Sequence, residues 1–131
     1  MKVLIIGLGQ AGGKIADEFT LDDKKSEFSG TIKCITANTA KSDLMGLRYI
    51  SMEDRILIGE TVVKGHGVGA DNKKGAKIME DEIDVILNRV SNLDVSNRDA
   101  FFVIAGLGGG TGSGAISIVC NSLKQIYDEP V

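Results

Sequence analysis

The 131-residue chain has little of what marks specialised folds: two cysteines, one histidine, one proline and 5% aromatics. Cys34 and Cys120 form no CxxC and have no histidine beside them, which argues against a metal site or a disulfide framework. Both sit in apolar runs, Ile32 to Ile35 and Ile118 to Val119, and read as buried free thiols of a reducing compartment. The lone proline, Pro130, leaves no room for a proline-rich linker. Positive charge is not in excess: 15 Lys and Arg face 18 Asp and Glu, a net charge of −3. With no basic run interleaved with aromatics, a nucleic-acid groove is not expected. No apolar stretch is long enough to span a bilayer, and Met1 to Ile6 is too short for a signal-peptide core. What is left is one cytoplasmic globular domain, large enough to bury a sizeable core.

Glycine is what the chain has in plenty, 17 of its residues. They concentrate at Gly7 to Gly13, Gly65 to Gly75 and Gly106 to Gly114. Around them runs an alternation of apolar strands and helical patterns. Val3 to Ile6 is a continuous apolar run, as in a strand covered on both faces. A helix is expected from Lys14, with Ile15 and Phe19 on its inner face, followed by a polar loop from Asp22 to Gly30. Ile32 to Ala37 and Arg55 to Gly59 read as strands two and three. A long helix follows over Lys73 to Asn92, its Ile78, Ile83, Ile86, Leu87 and Val90 inward and Glu80, Asp81, Asp84 and Arg89 on a solvated face. Ala100 to Ala105 reads as strand four, and Ser113 to Tyr127 as a helix burying Ile116, Val119, Leu123 and Ile126. Met45 and Met52 read as packing residues.

This order predicts an α/β fold: a three-layer, Rossmann-like parallel sheet with helices on both faces. Such sheets bind ligands at the carboxyl ends of their strands, where strand order reverses. With order 3-2-1-4, the glycine loops after strands one and four face each other there. Each joins a strand to a helix N-terminus, where unpartnered N–H groups and the helix dipole favour an anion. Glycine lets a phosphate approach the backbone closely, and Thr111 and Ser113 add hydroxyls. Two facing loops can hold a polyphosphate.

Gly7 to Gly12 spells GxGxxG after a strand and before a helix, the dinucleotide-binding fingerprint. An NAD site also wants an acid at the end of strand two, where this chain has Asn38-Thr39. A P-loop fails on spacing, because Ile15 follows Lys14 and Leu8 stands where its first glycine belongs. His66, the only histidine, has no triad partner nearby in sequence and reads as a loop residue. Asp71 and Asn72 are placed to cap the long helix, to reach a ligand, or both.

Gly108-Gly109-Gly110-Thr111-Gly112-Ser113-Gly114 resembles the GGGTG[ST]G signature of the tubulin/FtsZ superfamily of self-assembling GTPases. "GLGQAGGK" at 7–14, "NTAKSDLMGL" at 38–47 and "VKGHGVGADNKKGA" at 63–76 resemble the archaeal tubulin-like CetZ group in particular. Division-type FtsZ proteins usually carry Asp after the Asn-Thr pair, where this chain has Ala40, which favours the CetZ group.

The resemblance implies the tubulin-type fold, GTP or GDP as ligand, and Mg²⁺ held through phosphates and water near Gln10. It implies nucleotide contacts from Gly9, Gln10, Ala11, Gly12, Gly13 and Lys14, and from Asn38 and Thr39. Further contacts are implied from Gly69, Ala70 and Asp71, and from Gly108, Gly109, Gly110, Thr111, Gly112, Ser113 and Gly114. It implies head-to-tail self-assembly, with hydrolysis completed by an acidic loop of a neighbouring subunit, so no catalytic residue is expected in this chain. Family members continue beyond this length, so residues 1–131 are read as the N-terminal part of such a GTPase domain, ending before its fifth strand. Two other readings stand beside it: the NAD(P)-binding domain of an oxidoreductase, and a nucleotide-independent interaction module.

Overall fold

The computed structural model describes residues 1–93 and 98–131. Four parallel strands, β1 (Val3–Leu8), β2 (Ile32–Asn38), β3 (Arg55–Leu57) and β4 (Ala100–Ala105), form one sheet in the expected order β3-β2-β1-β4. Central β1 is buried along its whole length, which is why it reads as an unbroken apolar run. Its register sets Leu8 level with Ala37 of β2 and Ala105 of β4, so the three strands end together.

Alternation along β1 feeds two cores. Leu4, Ile6 and Leu8 point to the face covered by α4 (Asn72–Asn92) and α5 (Gly110–Ile126), where they meet Ile78, Met79, Ile86, Val119 and Leu123. Val3 and Ile5 point to the other face, beneath α1 (Gly9–Lys25), with Ala16, Cys34 and Ile50. The result is three layers, helix, sheet and helix pair.

Several expectations are corrected. α1 starts at Gly9 and α5 at Gly110, inside the glycine segments, because a single left-handed residue, Gly9 with φ 72°, suffices to turn β1 into a helix. α1 also runs on to Lys25, through the first part of the expected polar loop. Its buried face is Gly12, Gly13, Ala16 and Asp17, whereas Ile15 and Phe19 are 43% and 36% exposed. The helix lies so close to the sheet that only small residues fit beneath it. A Cβ on Gly12 would collide with the Ile104 carbonyl, and one on Gly13 would stand 3.0 Å from Thr36 Oγ1. Met45, Met52 and Ile126 are exposed too.

Arg89 is not a solvated charge. It binds the buried Asp54 through Nη2 at 2.6 Å and Nε at 2.8 Å, and Lys33 Nζ joins at 2.6 Å. Cys34 is buried and its thiol is pushed up to about 11 by burial, while Cys120 is half-buried and free. Two short helices, α2 (Lys41–Met45) and α3 (Glu60–Val63), were not anticipated. Helix α4 breaks regular geometry at Glu82, whose carboxylate accepts from the Gly59 N–H at 2.6 Å.

Candidate functional site

The carboxyl ends of β1, β2 and β4 open on a crevice built by four backbone segments. Gly9 and Gly112 bring the first and last together. A Cβ on Gly9 would stand 3.0 Å from the Gly112 nitrogen, and one on Gly112 would meet the Leu8 carbonyl at 2.7 Å. The N-termini of α1 and α5 are therefore packed side by side. Neither has a side-chain cap nor an acidic residue in its first turn. Their first N–H groups lack helical partners, and both helix dipoles add positive potential on one side of the crevice.

The second segment is pinned from beneath. Buried Thr39 shares a 2.7 Å hydrogen bond with Thr111 of α5, hydroxyl to hydroxyl. Buried Asn38 accepts from the Ala40 N–H at 3.1 Å and donates to Asp43 at 3.3 Å. The third segment, 64–71, follows α3. Lys64, Gly65, Gly67 and Gly69 all adopt positive φ, which bends the chain back over Thr39 and Ala40. The Gly67 N–H donates to the Thr39 carbonyl at 3.2 Å and the Lys41 N–H to the Gly65 carbonyl at 2.9 Å. Asp71 ends the segment as the cap of α4, accepting from the Lys74 N–H at 3.0 Å.

These segments enclose a cleft of about 240 Å³. Of the residues expected at a nucleotide, Gly9, Gln10, Asn38, Thr39, Gly69, Gly109, Gly110, Thr111 and Gly112 line it. The others stand outside its lining. Gly12 and Gly13 face the sheet. Gly114 lets α5 touch α4, where a Cβ would collide with the Asn72 carbonyl. Ser113 donates its hydroxyl to the Gly109 carbonyl. Ala11, Ala70 and Gly108 are exposed, and Asp71 caps α4 through one of its two carboxylate oxygens. Lys14 lines a neighbouring cleft of about 420 Å³ that shares Gln10 and Asp43 with the first.

Sequence reasoning missed Asp43, Ala40, His66, Gly67 and Val68 as lining residues. Asp43 was legible only as part of the 38–47 stretch; nothing in its spacing says that α2 turns its carboxylate towards Gln10. Among the described residues, no group of three or more His, Cys, Asp or Glu side chains could hold a metal ion by itself. Among the described residues, no helix is long and apolar enough to cross a membrane either.

A parallel α/β sheet with two uncapped helix N-termini meeting at its carboxyl edge defines a Rossmann-like domain with an anion-binding crevice. The particular family follows from comparison. Residues 2–131 match the model of the Tubulin/FtsZ family, GTPase domain, and the chain belongs to that family. It is 47% identical over all 131 residues to the tubulin-like protein CetZ1 of Haloferax volcanii, of which it covers 33%. The chain thus spans about a third of the length of the curated relatives it matches. A solved structure of Haloferax volcanii CetZ1, a GDP-bound monomer, superposes with a TM-score of 0.95 over the whole chain and 40% of its own. CetZ2 of the same organism, solved as a GTPγS-bound protofilament, is 39% identical with a TM-score of 0.92, over the whole chain and 38% of its own. The dinucleotide-dehydrogenase alternative is not favoured by these matches.

Proposed function

We propose that residues 1–131 form the phosphate-holding part of a GTP/GDP site in a self-assembling, CetZ-like cytoskeletal GTPase. The observation that carries this reading is the pair of uncapped helix N-termini, α1 and α5, held in contact through Gly9 and Gly112. Their N–H groups face one cleft, and glycine lets phosphate oxygens approach them without a Cβ in the way. Relatives solved with GDP and with GTPγS support a guanine nucleotide as the ligand, and the protofilament of one supports self-association. Gln10 would stand beside the water shell of a Mg²⁺ held through the phosphates, and that ion would supply charge stabilisation for the transferring phosphoryl group.

Gly9, Gln10, Thr39, Gly110, Thr111 and Gly112 are the contacts with strongest geometric support. Gly12, Gly13 and Gly114 act indirectly, by letting the helices close on the strands and on each other. Hydrolysis is completed in the assembled protein by an acid from a neighbouring subunit, in a head-to-tail contact that propagates as a filament. These 131 residues alone bind nucleotide weakly and turn over almost none. The cytoplasm is the compartment, and cell-shape control the role that the CetZ likeness suggests.

Calorimetric titration with GTP, GDP and NAD, each with Mg²⁺, tests the reading. Binding of the guanine nucleotides and not of NAD is the expected result. Binding of NAD alone overturns it, and a steady GTPase rate from these residues alone overturns the account of hydrolysis.

A further inference from the structure

Among the residues lining the 240 Å³ cleft, Asp43 is the only carboxylate, and no lysine or arginine lines it. An anion seated on the N–H groups of α1 and α5 therefore shares the cleft with a carboxylate. The Gln10–Asp43 bond is exposed, so water and salt reduce that repulsion at short range without removing it. Asp43 is also the residue that links two walls. Its Oδ1 accepts from Gln10 Nε2 at 3.4 Å and its Oδ2 from Asn38 Nδ2 at 3.3 Å. Both bonds are long, so neither commits the carboxylate strongly. The carboxylate and the neighbouring Gln10 amide oxygen are hard donors, the kind that suits Mg²⁺.

We propose that Asp43 is the residue through which this chain makes phosphate binding dependent on a divalent cation. With the cation, Asp43 and a polyphosphate share it as counter-charge, and water completes its shell. Without the cation, Asp43 keeps its bonds to Gln10 and Asn38 and repels the phosphates. The proposal rests on the nucleotide reading above. It gives a positive job to an acid that an anion site would otherwise exclude.

The test is GDP binding by calorimetry, in EDTA and in Mg²⁺, for the unaltered chain, Asp43→Asn and Asp43→Glu. Asn keeps the shape and loses the charge. In EDTA, Asp43→Asn is expected to bind GDP roughly tenfold tighter than the unaltered chain, because the repulsion is gone. In Mg²⁺ the order reverses, and Asp43→Glu keeps the Mg²⁺ dependence. Mn²⁺ supplies a readout independent of activity: GDP alone lowers its free electron-spin resonance signal, the unaltered chain with GDP is expected to lower it further, and Asp43→Asn with GDP is expected to lower it no further than GDP alone. A variant weaker in both media, or one with the Mg²⁺ dependence intact, overturns the assignment of Asp43 and leaves the nucleotide site standing. Absence of GDP binding by every chain in both media overturns the nucleotide reading, and this proposal with it.

Discussion

Backbone N–H groups without regular partners recur across the molecule, and two regions deal with them in opposite ways. Away from the crevice, carboxylates satisfy them. Asp17 accepts from the N–H groups of Arg48, Tyr49 and Ile50 at 2.9 to 3.0 Å, and Asp23 from those of Gly30, Thr31 and Ile32 at 2.8 to 3.2 Å. Asp71 caps α4. At the crevice, α1 and α5 begin with Leu8 and Gly109 in the capping position and no side chain closes either end. Asp17, Asp23 and Asp71 thus complete backbone hydrogen bonds of the fold, while the termini of the long helices α1 and α5 stay open at the crevice. The difference teaches that the glycines keep donors available as well as letting the chain turn.

The comparison breaks most severely if the open end is filled with bulk. Gly112→Val would press a side chain against the Leu8 carbonyl and the Ala105 Cβ, 2.7 and 3.1 Å from a Cβ position. The expected cost is about 3 kcal/mol of stability and a loss of GDP binding of at least roughly a hundredfold, read by urea denaturation and calorimetry.

Removing a carboxylate at the closed regions is next. Asp17→Asn keeps one oxygen for the Tyr49 and Ile50 N–H groups but sets an NH2 against the Arg48 N–H and removes the negative charge all three donors face, and is expected to cost about 2 kcal/mol by denaturant unfolding. Burial raises the Asp17 and Asp23 carboxyl pKa values, but the N–H donors outweigh it and hold both below the ordinary value of 3.8. A folded pKa below the unfolded one means stability that is complete above pH 3.8 and lost as pH falls through the lower folded values. Melting temperatures should therefore be insensitive to these two groups from pH 7 down to 3.8 and fall below it, and the double Asn variant should show a shallower fall.

A third change exchanges the two solutions. Gly109 has φ −88° and ψ 150°, a geometry ready for a capping side chain, with open space around its Cβ position. Gly109→Asp should stabilise the empty protein by up to about 1 kcal/mol and weaken GDP binding roughly tenfold, since the new carboxylate takes the donors and repels phosphate. Asp71→Ala makes the reverse change at α4 and should cost about 1 kcal/mol, while Asp71→Asn costs a few tenths. Gly109→Asp with unchanged GDP affinity would mean that the α5 terminus is not where phosphate binds. The smallest effect is expected outside both regions: Phe19→Gln, on the outer face of α1, should change stability by less than about 0.5 kcal/mol.

Much of the fold was legible because its signals are local. Val3 to Ile6 and Ala100 to Ala105 read as buried strands from apolar run length, and the long helix from its 3.6-residue period with an acidic residue at its start. The crevice was legible because glycine-rich strand-to-helix junctions are unusual enough to demand a reason. What could not be read were distances across the fold. Ile15 and Phe19 carry a perfectly good helical stripe, yet they face outward because the sheet comes too near for anything larger than Gly12, Gly13 and Ala16. Ser113 sits within the glycine signature, yet its hydroxyl donates to the Gly109 carbonyl. Asp43, by contrast, lies in no motif of chemical spacing, yet its carboxylate faces Gln10 across 33 residues of sequence.

The sequence by itself determined the parallel α/β class, the strand order, the pairing of two glycine loops at one edge and the family. Each follows from run length, periodicity or the placing of glycine along the chain, which are properties of neighbours in sequence. Tertiary structure alone decided which glycines line the cleft and which serve packing, which helix termini stay uncapped in space, and that one carboxylate stands in the cleft beside those open termini. Those depend on how close separate segments come, to within a few tenths of an ångström. Van der Waals contact and hydrogen-bond reach set that distance, and no local pattern encodes it.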